Sequence, residues 1–87
     1  MRGVIRLNDP TSHGGRVLSA SDEHRVLGLG VARVGDRCSC PRKGHAGCFI
    51  AEGDAAVRIE GRPVAFDGHR TSCGAVLRST APRHGRP

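Results

Sequence analysis

The chain has 87 residues, 37% of them hydrophobic, with a formal net charge of +6, thirteen Gly, five Pro, four Cys and only two aromatics, Phe49 and Phe66. Such a length gives one domain near the limit at which an apolar core alone suffices, and so few rings exclude a core built on large aromatic side chains. No apolar run approaches the ~18 residues of a membrane span, the N-terminus lacks a signal-peptide core, and the shortage of aromatics counts against a base-stacking nucleic-acid binder despite the charge.

Taken in chain order, short alternating apolar runs occur at 4–7 (VIRL), 16–18 (RVL), 31–34 (VARV), 49–51 (FIA), 57–60 (VRIE) and 75–78 (AVLR). Turn-forming NDP, GG, GD, EGD, EGRP and DGH lie among them. Period-two alternation between turn signals predicts strands, and no segment sustains the i, i+3, i+4 spacing of a helix. The fold class is therefore all-β. The last residues, TAPRHGRP, carry two prolines and no periodicity, which predicts a folded unit over 1–79 and a disordered tail over 80–87.

One eleven-residue phrase is written three times: VIRLNDPTSHG from Val4, VARVGDRCSCP from Val31 and VAFDGHRTSCG from Val64. Each opens with Val, has Ser ninth and places a soft-metal ligand tenth: His13, Cys40 and Cys73. The last two copies also match at an offset of 33, pairing Gly28 with Gly61, Gly35 with Gly68 and Arg37 with Arg70. A repeated unit too small to bury its own apolar face must pack against its copies, and three copies allow pseudo-threefold symmetry. Under that symmetry the tenth residues converge.

Four cysteines without a signal peptide read as metal ligands or free thiols rather than as a disulfide framework, with Cys38–Cys48 the pair to suspect if one formed. His13, Cys40 and Cys73 supply three ligands, and His45, five residues beyond Cys40 across a turn-like Pro-Arg-Lys-Gly, supplies a fourth. The result is a closed Cys₂His₂ site suited to one structural zinc ion, without the open position of a catalytic zinc. Cys38 stands where the other copies have Thr11 and Thr71, so it reads as a packed thiol that is not a ligand. Cys48 reads as core beside Phe49. His69 takes the place of Asp9 and Asp36 and reads as a turn residue or a support for the ligands, while His24 and His84 read as exposed.

The phrases RLNDPTSHGGRVLSA, GVARVGDRCSCPRKGH, IAEGD and GRPVAFDGHRTSCGAVL, spanning about residues 2–79, resemble the PAAR-repeat domain, the tip of the type VI secretion spike. In place of Pro-Ala-Ala-Arg the chain has Gly30-Val31-Ala32-Arg33 in one copy and Pro63-Val64-Ala65-Phe66 in another. The resemblance implies a small conical pseudo-threefold arrangement of strands and loops, with zinc near the apex on His13, Cys40, His45 and Cys73. It implies a base that binds a trimeric valine–glycine-repeat (VgrG) spike protein, one copy per trimer, with Val4, Val31 and Val64 at or near that base. It further implies a non-enzymatic part, assembled in the cytoplasm and then secreted, in transient contact with a target-cell membrane. The few residues after the repeats are too short for a fused toxin, so the expectation is a bare tip on which a separate effector docks.

A zinc-stabilised nucleic-acid-binding module is the alternative that the positive charge suggests. It calls for paired C-x₂-C knuckles or a basic helix, and the sequence contains neither.

Overall fold

The computed structural model describes residues 2–41, 47–81 and 83–86, and among these there is no helix. Each of the three copies enters the molecule as a short extended run whose second residue points inward: Ile5, Ala32 and Ala65 are fully buried. Their backbones close on one another. Ile5 N–H donates to the Ala65 carbonyl (3.0 Å), Ala65 N–H to that of Ala32 (3.0 Å) and Ala32 N–H to that of Ile5 (2.8 Å). A ring of three such bonds satisfies each donor with the next copy, which is what a threefold arrangement of one phrase requires.

Beyond the ring each copy makes the same turn. The backbone N–H groups of Asp9, Asp36 and His69 all donate to the carbonyl three residues back, at 3.0 Å. The preceding residue has positive φ in each case: Asn8 at 72°, Gly35 at 91° and Gly68 at 89°. That is the third position of a type II turn, where Gly or Asn is needed. The fourth residue then accepts a backbone N–H through its side chain. Asp9 Oδ2 accepts from Arg6 (2.8 Å), Asp36 Oδ2 from Arg33 (2.7 Å) and His69 Nδ1 from Phe66 (2.8 Å).

Six antiparallel bridges then lace the copies together cyclically. Val4 pairs with Phe66, Arg6 with Val31 and Arg33 with Val64; further along, Thr11 pairs with Leu77, Val17 with Cys38 and Ile50 with Thr71. Every copy is joined to the one before and the one after, and the circle closes. This explains a difference from expectation. The runs at 4–7, 16–18, 31–34, 49–51 and 75–78 are single bridges rather than strands, because each changes partner within a few residues as it passes around the axis. Only the run at 57–60 falls largely within a strand.

The regular strands lie elsewhere, in three two-stranded antiparallel arms. β2 (Arg25–Val26) pairs with β3 (Leu29–Gly30), and β4 (Asp54–Ile59) with β5 (Arg62–Val64), through two-residue turns at 27–28 and 60–61. All four turn residues have positive φ, as a type I′ hairpin turn requires. The third arm joins β1 (Arg2–Gly3) to β6 (Gly85–Arg86). β1, β3 and β5 each lead into or end on the Val that opens a copy.

The third arm corrects the expectation of a disordered tail over 80–87. Ala81 is buried, the Val4 N–H donates to the His84 carbonyl at 2.7 Å, and the Thr80 hydroxyl donates to the Asp9 carboxylate. The arm that leads into the first copy is thus completed by β6, which follows the third copy in sequence.

Two apolar clusters sit on either side of the backbone ring. One contains Ile5, Val17, Ala32, Ile50, Ala65 and Leu77 together with Cys38 and Cys48, and Cys40 and Cys73 pack against it. The other contains Val4, Val31, Val64, Phe66 and Ala81, with Val26, Val57 and Ile59 packed around them. The division follows from strand alternation, since Val4 and Ile5, like Val31 and Ala32, face opposite ways. The molecule measures 33 × 23 × 22 Å, with two nearly equal short axes as rotational pseudo-symmetry demands.

Candidate metal centre

After the type II turn each copy folds back as a small hairpin. Pro10 bridges Arg16, Arg37 bridges Phe49 and Arg70 bridges Val76. In the first and third copies the tip is closed by a threonine. Thr11 Oγ1 accepts the N–H of Gly15 (3.2 Å) and Thr71 Oγ1 that of Ala75 (3.2 Å), while Gly14 and Gly74 turn the chain at φ 83° and 85°.

The ninth residue of the phrase ties neighbouring hairpins side by side. Ser39 Oγ accepts from Arg16 N–H (2.9 Å), Ser72 Oγ from Phe49 N–H (3.1 Å) and Ser12 Oγ from Val76 N–H (2.8 Å). Each serine N–H donates in return to the carbonyl of the same residue, at 2.8, 2.8 and 2.9 Å. The approach is close enough that a side chain at Gly15 would place its Cβ 1.8 Å from the Ser39 carbonyl oxygen. The invariant Ser of the phrase is thus an inter-hairpin clasp.

These clasps bring the tenth residues together. Cys40 Sγ lies 3.6 Å from His13 Nδ1 and Cys73 Sγ lies 3.9 Å from it, and the ligand atoms of the three residues all fall within 4.8 Å of one another. A tetrahedral zinc with bonds of ~2.3 Å to sulfur and ~2.0 Å to nitrogen separates such atoms by about 3.5 Å, so the imidazole–thiol spacing fits the ion. Two thiols and one imidazole also form a donor set that zinc accepts readily. The three residues are half-buried, which leaves the cluster near the surface at the hairpin tips.

Cys73 is primed to ionise. Burial alone would push its thiol up, but hydrogen bonds from Cys48, Thr71, the Ala75 amide and Cys40 outweigh it and hold the group well below the ordinary thiol range. Thr71 Oγ1 stands 3.2 Å from its sulfur. Cys48 moves the other way, raised first by its hydrogen bond to Cys73 and then by burial, so it remains the donor of the pair. Cys38 is raised to about 11, chiefly by burial and then by the neighbouring Cys73 and Asp36 charges. It is a packed thiol, in the place of the tip threonines. All four described cysteines are free thiols.

Of the residues singled out from sequence, His13, Cys40 and Cys73 are brought together, and His45 lies outside the described residues. Val4, Val31 and Val64 gather at the opposite cluster, where with Val26, Val57 and Ile59 they line an apolar concavity of about 260 Å³. Each is itself nearly covered by its own chain, at 5%, 5% and 2% exposure, so the rim residues supply most of the accessible apolar surface. His69 is the turn residue that replaces Asp9 and Asp36. His24 and His84 are exposed.

Sequence reasoning missed the part taken by Cys48. It is buried with the core as expected, but its thiol also reaches the sulfurs of Cys73 and Cys40. The signal lay in the glycines. Gly47, at φ 72°, continues the second hairpin as Gly14 and Gly74 continue the others, which sets Cys48 in register with Gly15 and Ala75, directly under the tips.

A family model described as PAAR motif matches residues 7–79 of the 87. No curated protein matches the chain.

Proposed function

We propose, from the premise that this chain belongs to the PAAR-motif family, that it is the metal-tied tip seated on a trimeric VgrG-type protein of a type VI secretion spike, one copy per trimer. Members of that family are structural parts of the type VI spike, and this chain is a spike-associated protein of that kind. The cyclic closure of six bridges through one chain is the observation that carries the finer reading. A single polypeptide that meets three identical subunits must offer three similar faces, and this one repeats both its backbone pairing and its arms about one axis.

The arm end is the proposed seat. Its apolar concavity around Val4, Val31 and Val64, rimmed by Val26, Val57 and Ile59, would cover a trimer's axial end, and the two-stranded arms would offer their outer strands for strand addition. At the other end His13, Cys40 and Cys73, with His45 as the proposed fourth ligand, would hold one zinc ion. Cys48 stays outside the group of ligand atoms within 4.8 Å of one another and acts as a thiol donor to its sulfurs. The ion would supply cross-linking there, fastening hairpins from three distant parts of the chain above the apolar layer on which Cys40 and Cys73 pack. The Thr11 and Thr71 tip bonds and the three serine clasps pre-position those ligands.

The role is structural rather than enzymatic, that of a stiff point assembled in the cytoplasm and expelled with the spike to aid membrane penetration. A separate effector would ride on its exposed flank. Light scattering of the purified domain mixed with its trimeric spike protein tests the seat. A complex of one domain per three spike chains supports it, and an equimolar complex contradicts it.

A further inference from the structure

Charge divides along the molecule as the architecture does. The segments that build the metal-end hairpins and their flanks, 10–18, 37–50 and 70–78, hold six of the fourteen basic residues and none of the eight acidic ones. The remaining eight basic and eight acidic residues cancel, so the net charge of +6 is carried by these three segments of the sequence. A dication bound by two thiolates adds nothing to it.

Four of those six basic residues are described, Arg16, Arg37, Arg70 and Arg78, and all four are exposed. In the ion pairs between described residues the cations are Arg33 and Arg62, which lie outside these segments. Glu52 reaches the edge of the group, where its Oε1 accepts the Arg70 backbone N–H at 2.8 Å without pairing its guanidinium. The arginines come from all three copies and therefore surround the tip.

Of the three large exposed hydrophobic residues among those described, two stand beside these arginines, Leu18 at 48% and Phe49 at 45% exposure. Both adjoin Arg37: Leu18 N–H donates to its carbonyl at 2.7 Å, and Phe49 is its bridge partner. Mixed cationic and apolar groups at one end suit a surface with anionic headgroups above an apolar layer.

We infer that this arginine crown docks on the anionic phosphate headgroups of a lipid membrane, with Leu18 and Phe49 entering the interfacial layer between the arginines. The inference rests on the reading of the metal end as the leading point, and it adds what that point recognises. A cationic ring on all sides matches a fluid surface that can close around it, whereas a folded acidic protein would meet one side. Nucleic acid would find no set of exposed rings on which to stack.

Sedimentation of the metal-loaded full chain with vesicles tests the inference, using phosphatidylcholine alone and an equimolar mixture with phosphatidylglycerol. The protein should be retained by the mixed vesicles only, and less so as salt rises. An Arg37→Gln/Arg70→Gln variant should bind about 25-fold more weakly, at about fivefold per cation removed, while Arg25→Gln/Arg58→Gln at the arm end should change binding by less than about twofold. Metal content and spike binding, measured on each variant, report separately on the fold and on the seat. No retention by mixed vesicles at low salt, equal losses for the two variants, or tighter retention on duplex DNA than on mixed vesicles at matched salt would overturn the inference. With spike binding intact, any of these outcomes leaves the proposed seat standing.

Discussion

At the metal end, hairpins 10–16, 37–49 and 70–76 meet through three serine clasps, a cluster of two thiols and an imidazole, and a surface without a carboxylate in its own segments. At the arm end, Val4, Val31, Val64, Phe66 and Ala81 form an apolar cluster, and basic residues are matched by acidic ones. The same phrase feeds both ends, because its first residue faces one way and its tenth the other. The difference lies in what remains when the copies converge. The arms close over their own apolar cluster, whereas the tips project beyond the layer on which Cys40 and Cys73 pack, and there hydrogen bonds join the hairpins where an ion is proposed to add to them.

The largest effect that separates the two ends should come from the metal. Chelation, or Cys73→Ser, should release the ion and speed amide exchange in the three hairpins far more than in the arms. The expected loss is several kcal/mol, a fraction of the ~10–16 kcal/mol that zinc supplies to peptides with no core of their own. Hydrogen-exchange mass spectrometry reads it, and uniform loss of protection at both ends would erase the distinction. Cys48→Ala should retain the ion, because that thiol stands outside the ligand group, whereas His45→Ala should weaken it. Metal titration compares the two.

Next in size is the shared layer. Leu77→Ala, at a fully buried position beside the backbone ring, should cost about 2–5 kcal/mol, seen as a lower midpoint in denaturant with both ends affected together. Ser39→Ala is smaller and local. It removes the acceptor for Arg16 N–H and should cost ~1 kcal/mol by the same measurement, with faster exchange confined to the hairpins.

The smallest effect concerns the one turn in which the copies differ. His69 accepts the Phe66 N–H through Nδ1, so the fold needs it neutral there. Burial, and then the Arg2 charge, lowers its pKa, with Glu52 and Asp54 opposing in part. A histidine whose pKa is depressed on folding contributes stability that is present above its unfolded value of ~6.5 and is lost as pH falls through the folded value. His69→Asp supplies the carboxylate found in the other two turns. It should change stability at neutral pH by less than about 1 kcal/mol and remove this part of the decline below about pH 6.5. Thermal unfolding of both proteins across pH tests the difference.

The convergence of His13, Cys40 and Cys73 was legible because Val, Ser and the tenth residue keep fixed spacing in a threefold phrase, and symmetry does the rest. The all-β class was legible from alternation. The arms were less so. The Leu27-Gly28 and Glu60-Gly61 pairs mark two-residue hairpin turns, but β2 and β3 are too short to show alternation. The third arm could not be read from local pattern at all, since β1 and β6 are paired across the length of the chain. Cys48 was hidden by the longer sequence between Cys40 and Gly47 in the second copy, which shifts its count from the repeat until Gly47 restores the register.

Elemental analysis of the folded protein, purified without added metal and paired with X-ray absorption at the bound ion, tests the central claim most directly. The account predicts one zinc per chain with sulfur and imidazole ligands, and loss of that signal in Cys40→Ser and Cys73→Ser. A folded, metal-free protein that keeps its three hairpins protected from exchange would contradict it.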